Sequence, residues 1–237
     1  MRTSPQSRAP VANRLLAALP AKEYQRLLPS LELTTLVFAE TLYEEGAPIQ
    51  HVYFPMTSVV SLLAAVEDRA TLAIAIVGSE GMVGLSVFMG VKTARNRAVV
   101  QSAGLAVRMK AAALRAECRH DGLLPHLLQR YTYALLTQAS QSAACHRFHL
   151  LEARLARWLL ATHDRLGANE FQLTQSFLSN MLGVRREGIN KAAGSLQRQH
   201  LINYSRGHLM IVNRAGLAAV ACGCYAIIKE KSASMLG

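Results

Sequence analysis

TQSFLSNMLGVRREGINKAAGSLQRQHLI, residues 174–202, contains two helical patterns separated by a glycine. Thr174 is suited to cap a short helix that runs to Met181. Gly183 can adopt the positive φ that a tight turn between two crossing helices requires. A second helix then follows from about Arg185 to Gln199. The spacing therefore predicts a helix-turn-helix.

The second helix has two chemically different faces. The apolar side chains share one face: Ile189, Ala192, Ala193 and Leu196. The polar side chains lie on the opposite face: Glu187, Asn190, Lys191 and Arg198. Arg186 occupies the exposed first turn, where recognition helices contact base edges. An arginine can meet guanine O6 and N7 together, and a carboxylate can accept from the cytosine amino group. Alternatively, Glu187 and Lys191 form only a surface i, i+4 pair.

The residues after this helix predict a β-hairpin. Ile202–Ser205 and Leu209–Val212 are typical of two strands around Arg206-Gly207-His208, which makes a wing with a basic tip suited to phosphate. Residues 168–237 hold eight Lys/Arg and three Asp/Glu, so this part of the chain is basic by itself. We expect the DNA backbone or supporting contacts to come from Thr174, Gln175, Ser176, Arg185, Asn190, Arg206 and His208.

Upstream, the pattern changes to short β-strands. Between about Leu31 and Met109 we predict strands in LTTLVF, TLYEE, HVYFP, SVVSLLAAV, ATLAIAIV, NRAVVQSA and LAVRM. Many short strands without intervening helices favour a sandwich or jelly-roll barrel. Before the barrel, Asn13 is suited to cap a short helix, and this helix carries leucines as far as Leu28.

From about Lys110 to Leu166 the chain is predicted to be helical. Pro125 suits a first helical turn and Gly167 a C-terminal cap, with two helices expected between them. Residues at alternating four and three spacing, typical of a helix that pairs with its own copy, supply the predicted dimer seam: Leu128, Tyr131, Leu135 and Gln138. The alternative is an amphipathic helix lying on the barrel.

These patterns predict an α+β chain in four parts. They are a flexible basic tail (1–12), a β-barrel domain (13–121), a dimerisation helix (122–147) and a winged helix-turn-helix domain (148–237).

Composition restricts the partners. The 237 residues carry a net charge of +11, with a sequence pI near 10, which favours polyanionic partners, either nucleic acid or an acidic membrane face. No apolar run approaches the roughly 18 to 20 residues of a membrane helix, so no membrane partner is expected. Four cysteines without CxxC spacing fit a reduced, cytoplasmic setting. Cys145, His146 and His149 lie close in sequence but lack further ligands at metal spacing, so no metal site or cofactor is predicted.

The order of barrel, long helix and winged helix-turn-helix resembles the Crp-Fnr family of bacterial transcription regulators, from about Leu15 to Leu217. The most specific part is LTQSFLSNMLGVRREGINKAAGSLQRQHLI followed by GHLMIV. In that family an Arg-Glu pair and a following basic residue read bases. The resemblance therefore implies base reading by Arg186, Glu187 and Lys191. It also implies a homodimer on a two-fold symmetric DNA site, with RNA polymerase as a candidate further partner. The barrel (13–121) would then be a cyclic-nucleotide-binding-like domain that acts as the effector or sensor module.

The sequence departs from the family in two places. Gly188 stands where a Ser or Thr commonly contacts phosphate. In the region corresponding to the cyclic-nucleotide site, Gly84 is followed by Leu85 rather than Glu, and no Arg-Ser-Ala or Arg-Thr-Ala occurs. Cyclic nucleotide is therefore not expected as the effector, whose identity and site stay unknown. Glu80, in the same region, is expected to be a solvated turn residue.

The sequence raises three hypotheses of function. The predicted function is a sequence-specific transcription regulator, which is not an enzyme and has no catalytic residues. A cupin-like metal-dependent oxygenase with an accessory basic domain is the alternative, but it needs two or three histidines on barrel strands, where only His51 lies. A third hypothesis, an architectural protein binding DNA by charge alone, does not account for a carboxylate on the reading helix.

Overall fold

The computed structural model describes residues 12–65 and 71–233. The predicted basic tail falls outside these residues except for Ala12. Within the described part of the chain, no helix combines the length and the apolar character needed to cross a bilayer.

Two antiparallel sheets form the N-terminal half. The strands are β1 (Glu32–Leu36), β2 (Thr41–Tyr43), β3 (His51–Pro55), β4 (Val59–Ala65), β5 (Thr71–Val77), β6 (Arg97–Ser102) and β7 (Gly104–Lys110). One sheet has the order β1-β7-β3, and the other has the order β2-β6-β4-β5. All seven predicted strands are confirmed. Apolar side chains from both sheets form one core, in which Val52 and Phe54 of β3 are fully buried.

Two short helices, rather than the predicted single one, precede the barrel: α1 (Arg14–Ala17) and α2 (Ala21–Leu27). Pro20 separates them, because proline has no N–H to continue a helical hydrogen-bond ladder. Asn13 caps α1 as predicted, since its Oδ1 accepts from the backbone N–H of Leu15 at 3.1 Å and of Leu16 at 3.3 Å.

Three helices follow the barrel: α3 (Ala111–Glu117), α4 (Leu123–Phe148) and α5 (Leu151–Leu166). Pro125 lies in the first turn of α4, and Gly167 ends α5 with a left-handed φ of 65°. The predicted pair of helices between Pro125 and Gly167 is therefore confirmed. Gly167 suits this cap because a Cβ would strain the left-handed backbone.

The predicted dimer seam on α4 faces the chain's own barrel. Leu128 and Tyr131 are buried in the barrel core, Leu135 packs against it, and Gln138 is 6% exposed. Gln138 also accepts a 3.1 Å hydrogen bond from the backbone N–H of Ile76 on β5. Side chains covered in this way are not available to a partner. The seam prediction was therefore wrong in its residues, and the alternative of an amphipathic helix lying on the barrel describes this face.

The C-terminal part builds a second core around α5. Its other elements are β8 (Glu170–Gln172), α6 (Gln175–Leu182), α7 (Arg186–Arg198), β9 (Ile202–Ser205), β10 (His208–Ile211), α8 (Arg214–Val220) and α9 (Cys224–Ala233). Leu155, Trp158 and Leu159 of α5 pack against apolar side chains of α6, α7 and the β8-β10-β9 sheet. Helix α5 therefore supports the helix-turn-helix from behind.

Candidate nucleic-acid interface

Helices α6 and α7 form the predicted helix-turn-helix. Thr174 Oγ1 accepts the backbone N–H of Phe177 at 3.1 Å, which caps α6. Gly183 adopts a φ of 62° and ends α6, and α7 begins three residues later. A residue with a Cβ would be strained at this φ, so the glycine allows the short connection between the helices.

Helix α7 has the two faces that the sequence predicts. Ile189, Ala192, Ala193 and Leu196 are buried. The opposite face is exposed and polar, and it carries Glu187, Asn190, Lys191 and Arg198, preceded by Arg185 and Arg186. The predicted helix, Arg185 to Gln199, extends one residue beyond α7 at each end, because Arg185 and Gln199 are the capping residues.

The first turn of α7 contacts the first turn of α6. Arg186 Nη2 donates a 3.0 Å hydrogen bond to Ser176 Oγ. Ser176 is half-buried, while Thr174 and Gln175 beside it are exposed. The N-terminal ends of the two helices, which carry Thr174, Gln175, Ser176, Arg185 and Arg186, therefore lie next to each other.

Glu187 is not engaged by Lys191. Across the described residues, no ion pair within 4.0 Å joins the two side chains, although they lie four residues apart on α7. The alternative of a surface pair therefore has no support in the side-chain geometry. An exposed carboxylate among cations is available to accept from a donor outside the chain.

The wing is a hairpin with a two-residue tip. Arg206 and Gly207 occupy the tip with positive φ values of 48° and 82°, as the favoured two-residue hairpin turns require. His208, predicted at the tip, instead begins β10, where it pairs with Ser205 of β9 and Gln172 of β8. Strand β8 was not predicted, because its three residues, with only Phe171 buried, are too short a pattern to recognise.

Hydrogen bonds fix the wing to the helix-turn-helix. Leu173 N–H donates to Gly207 O at 2.7 Å, and Tyr204 Oη donates to Leu173 O at 2.9 Å. Gln197 Oε1 on α7 accepts the backbone N–H of Tyr204 at 3.1 Å. Because Leu173 immediately precedes the cap of α6, these bonds hold α6, α7 and the wing in one arrangement.

Gly188 packs closely against α5. A Cβ at this position would lie 3.1 Å from Leu151 Cδ2, which is tighter than ordinary van der Waals contact. Leu151 is the first residue of α5. The glycine that weakens α7 by up to about 1 kcal/mol relative to alanine therefore allows α7 to approach α5 closely.

The surface formed by α7, its cap and the wing tip is positively charged. Five cations and one carboxylate are exposed there: Arg185, Arg186, Lys191, Arg198 and Arg206, with Glu187. A cationic surface with flanking hydrogen-bonding groups on a helix-turn-helix can attract phosphates and present side chains to base edges.

Comparison with known proteins agrees with this geometry. Residues 153–220 match the model of the Crp-like helix-turn-helix domain. No protein of curated function matches the sequence. Across the whole fold, FixK2 from Bradyrhizobium japonicum is similar with a TM-score of 0.65 and 20% identity over 81% of this chain and 98% of that one.

Two further solved structures share the fold. A putative transcriptional regulator of the Crp/Fnr family from Eubacterium rectale has a TM-score of 0.68 and 15% identity, covering 87% of this chain and 96% of its own. CLP, a c-di-GMP-responsive global regulator from Xanthomonas campestris, has a TM-score of 0.65 and 16% identity, covering 81% and 99%. The chain therefore has the Crp/Fnr regulator fold with a Crp-like helix-turn-helix domain, which confirms the resemblance.

Proposed function

We propose that this chain is a sequence-specific DNA-binding transcription regulator that acts as a homodimer on a two-fold symmetric site. The observation that carries the proposal is the exposed N-terminal half of α7, where Arg186 and an unengaged Glu187 stand side by side on a cationic surface. A carboxylate near phosphates costs free energy unless it meets a specific donor. Its position therefore supports base reading over simple charge attraction.

Three residues of α7 read bases in this proposal. Arg186 approaches a guanine, which requires it to exchange its hydrogen bond with Ser176 for the O6 and N7 acceptors. Glu187 accepts from a cytosine amino group, and Lys191, one turn further along the exposed face, donates to a neighbouring base or phosphate.

Backbone contacts come from the edges of the same surface. Thr174, Gln175 and Ser176 lie at the N-terminal end of α6, where free backbone N–H groups attract phosphate. Arg206 at the wing tip and His208 beside it are exposed and reach the flanking phosphates. Arg185 and Asn190 complete the set on α7.

The dimer forms through the face of α4 that points away from the barrel. Tyr133 is 67% exposed and Leu136 is 61% exposed, although both are large hydrophobic side chains. Ser140 and Ala143 continue this face at four and three spacing and are exposed as well. Two parallel copies of α4 can bury this stripe against each other and relate the two α7 helices by a dyad. Half-sites about 34 Å apart follow.

The barrel controls the DNA-binding part through their shared contacts. Glu80, in the turn after β5, pairs with Arg165 of α5 at 2.8 Å. A cavity of about 320 Å³ lies at this contact and is lined by Arg14, Glu80, Asp164, Arg165, Tyr225 and Lys229, among others. A ligand that binds one orientation of the two parts better than another shifts their balance.

The test compares specific and random DNA. Binding to a promoter fragment that contains the two-fold site is measured for the wild type, Arg186→Ala and Arg119→Ala, which removes an exposed arginine on the barrel side of the molecule. We expect Arg186→Ala to lose about 1–3 kcal/mol on the specific site and much less on random DNA. Equal losses on both DNAs would contradict base reading by Arg186.

A further inference from the structure

Four potential metal ligands meet where the long helix joins the C-terminal part. Cys145 Sγ lies 3.4 Å from Cys222 Sγ, and Cys224 Sγ lies 3.6 Å from His149 Nδ1. All four ligand atoms lie within 4.8 Å of one another. The three cysteines are buried, while His149 is exposed, so the cluster has one side open to solvent.

These residues come from two distant segments. Cys145 lies in the last turn of α4, and His149 ends that helix with an extended backbone at φ −110° and ψ 145°. Cys222 lies in the short connection between α8 and α9, and Cys224 is the first residue of α9. The segments are more than 70 residues apart in sequence, and the packing of α9 on α4 and α5 brings them together.

The spacing suits a tetrahedral ion. With Zn–S bonds of about 2.3 Å and Zn–N bonds of about 2.0–2.1 Å, neighbouring ligand atoms of a tetrahedral site are about 3.6–3.8 Å apart. The Cys145–Cys222 and Cys224–His149 distances agree with that within a few tenths of an ångström. Ligand atoms that are as far as 4.8 Å apart have to approach each other by about 1 Å to bind one tetrahedral Zn²⁺. Rotation of the exposed His149 side chain can contribute to that movement.

The surroundings favour thiolates. Arg154 and Arg157 of α5 are 8% and 7% exposed, and their Nε groups have no hydrogen-bond partner within the described residues. Gln141 Nε2 donates a 3.0 Å hydrogen bond to Cys224 Sγ. Buried cations and an amide donor stabilise negative charge on sulfur.

We propose that Cys145, His149, Cys222 and Cys224 bind one Zn²⁺ ion in a tetrahedral Cys₃His site. Three thiolates and a neutral imidazole around Zn²⁺ leave one net negative charge, which Arg154 and Arg157 offset. Thiol protons are released to solvent on binding, as for other thiolate sites. Gln141 acts in the outer shell by holding the Cys224 thiolate.

The ion joins the two parts of the molecule. It links the end of α4 and the α4–α5 connection, through Cys145 and His149, to the start of α9. On the proposed function, this fixes the angle at which the DNA-binding part leaves the long helix. The site itself does not depend on DNA binding.

The test measures metal in the full-length protein purified without chelator. Wild type and Cys118→Ser, which removes the cysteine outside the cluster, are expected to contain about one equivalent of zinc. The double variant Cys222→Ser/Cys224→Ser is expected to contain less than about a tenth of an equivalent. Co²⁺ added to zinc-free wild type should give the visible bands of tetrahedral thiolate coordination.

His149→Ala provides a variant whose folding is not at risk, because the side chain is exposed. It should weaken Co²⁺ binding at least about tenfold while leaving the circular dichroism spectrum unchanged. Three results would overturn the proposal. They are a wild-type protein that binds neither zinc nor Co²⁺, a Cys145–Cys222 disulfide in protein purified under reducing conditions, and bound iron with inorganic sulfide. Metal content and Co²⁺ binding do not involve DNA, so these results are independent of the proposed function.

Discussion

Arg165 Nε of α5 donates a 2.8 Å hydrogen bond to Glu80 Oε1 in the turn after β5. The two side chains are only 10% and 13% exposed, and Arg165 Nη1 also donates to the Ala161 carbonyl at 2.9 Å. Glu80 was expected to be a solvated turn residue. That expectation was wrong, because α5 packs over the turn and covers the carboxylate with a guanidinium. The ion pair directly joins the barrel to the DNA-binding part.

Glu80→Gln is expected to lower the free energy of unfolding by about 1–3 kcal/mol, because Arg165 keeps its buried charge and loses its counter-ion. Chemical denaturation of both proteins measures the difference. Glu32→Gln is the matched control, since Glu32 and Arg108 form a 2.6 Å pair whose side chains are 61% and 35% exposed, so that solvent screens it and its loss should change stability much less. Equal effects of the two substitutions would contradict the importance of burial at Glu80.

The ion pairs and hydrogen bonds of Asp164, which join α5 to the C-terminal helices, are expected to weaken at acid pH. Burial by itself raises the pKa of Asp164, but hydrogen bonds from Tyr225, Arg214 and Lys229 lower it from 3.8 to about 2. Because the folded pKa lies below the unfolded one, the stabilisation is complete above pH 3.8 and is lost as the pH falls toward 2.

Asp164→Asn should therefore flatten the dependence of unfolding free energy on pH between about 4 and 2. Solvent reaches 23% of the side chain, so the expected loss at neutral pH is about 1–2 kcal/mol after allowing for screening. Urea titrations at several pH values measure this, with Asp121→Asn as a control at an exposed aspartate. If Asp164→Asn leaves the dependence of unfolding free energy on pH unchanged in this range, the hydrogen bonds from Tyr225, Arg214 and Lys229 do not stabilise the carboxylate.

Leu136→Arg is expected to raise the monomer–dimer dissociation constant at least about tenfold, because it places a charge in the centre of the proposed α4 interface. Sedimentation equilibrium measures the constant. Leu33→Arg replaces a leucine of similar exposure, 64% against 61%, on strand β1 and should leave association unchanged. A dimer that tolerates Leu136→Arg would place the interface elsewhere.

Arg206→Gly isolates the charge at the wing tip. Arg206 has a φ of 48°, which glycine adopts without strain, so the substitution removes the cation while preserving the turn. We expect weaker binding to specific and random DNA alike. The slope of the logarithm of the binding constant against the logarithm of salt concentration should fall by about one, because one counter-ion fewer is released. Titrations at several salt concentrations provide the slope. A loss confined to the specific site would assign Arg206 to base reading instead.

The sequence predicts elements whose signals are local. The seven barrel strands, the Gly183 turn and the two faces of α7 depend on periodicity and on residues a few positions apart, and the structure contains all of them. Gly167 ends α5 for the same kind of reason, since the left-handed cap depends on one residue.

The sequence does not predict which neighbour covers a helix face. The heptad-like stripe containing Leu128 and Tyr131 fits a partner helix or a barrel equally well, and the structure shows that the barrel covers it. Glu80 and Arg165 lie 85 residues apart, and Cys145 and Cys222 lie 77 apart, so their pairing is a property of tertiary packing. Local patterns carry no information about such contacts.

The most direct measurement of base reading selects DNA sites from a random-sequence library with wild type and Glu187→Ala. We predict that wild type selects a two-fold symmetric site and that Glu187→Ala relaxes the preference at one symmetry-related base pair in each half-site, by about 1–3 kcal/mol. The rest of the selected site should stay the same. An identical preference at every position, or no preferred sequence for wild type, would contradict base reading by α7.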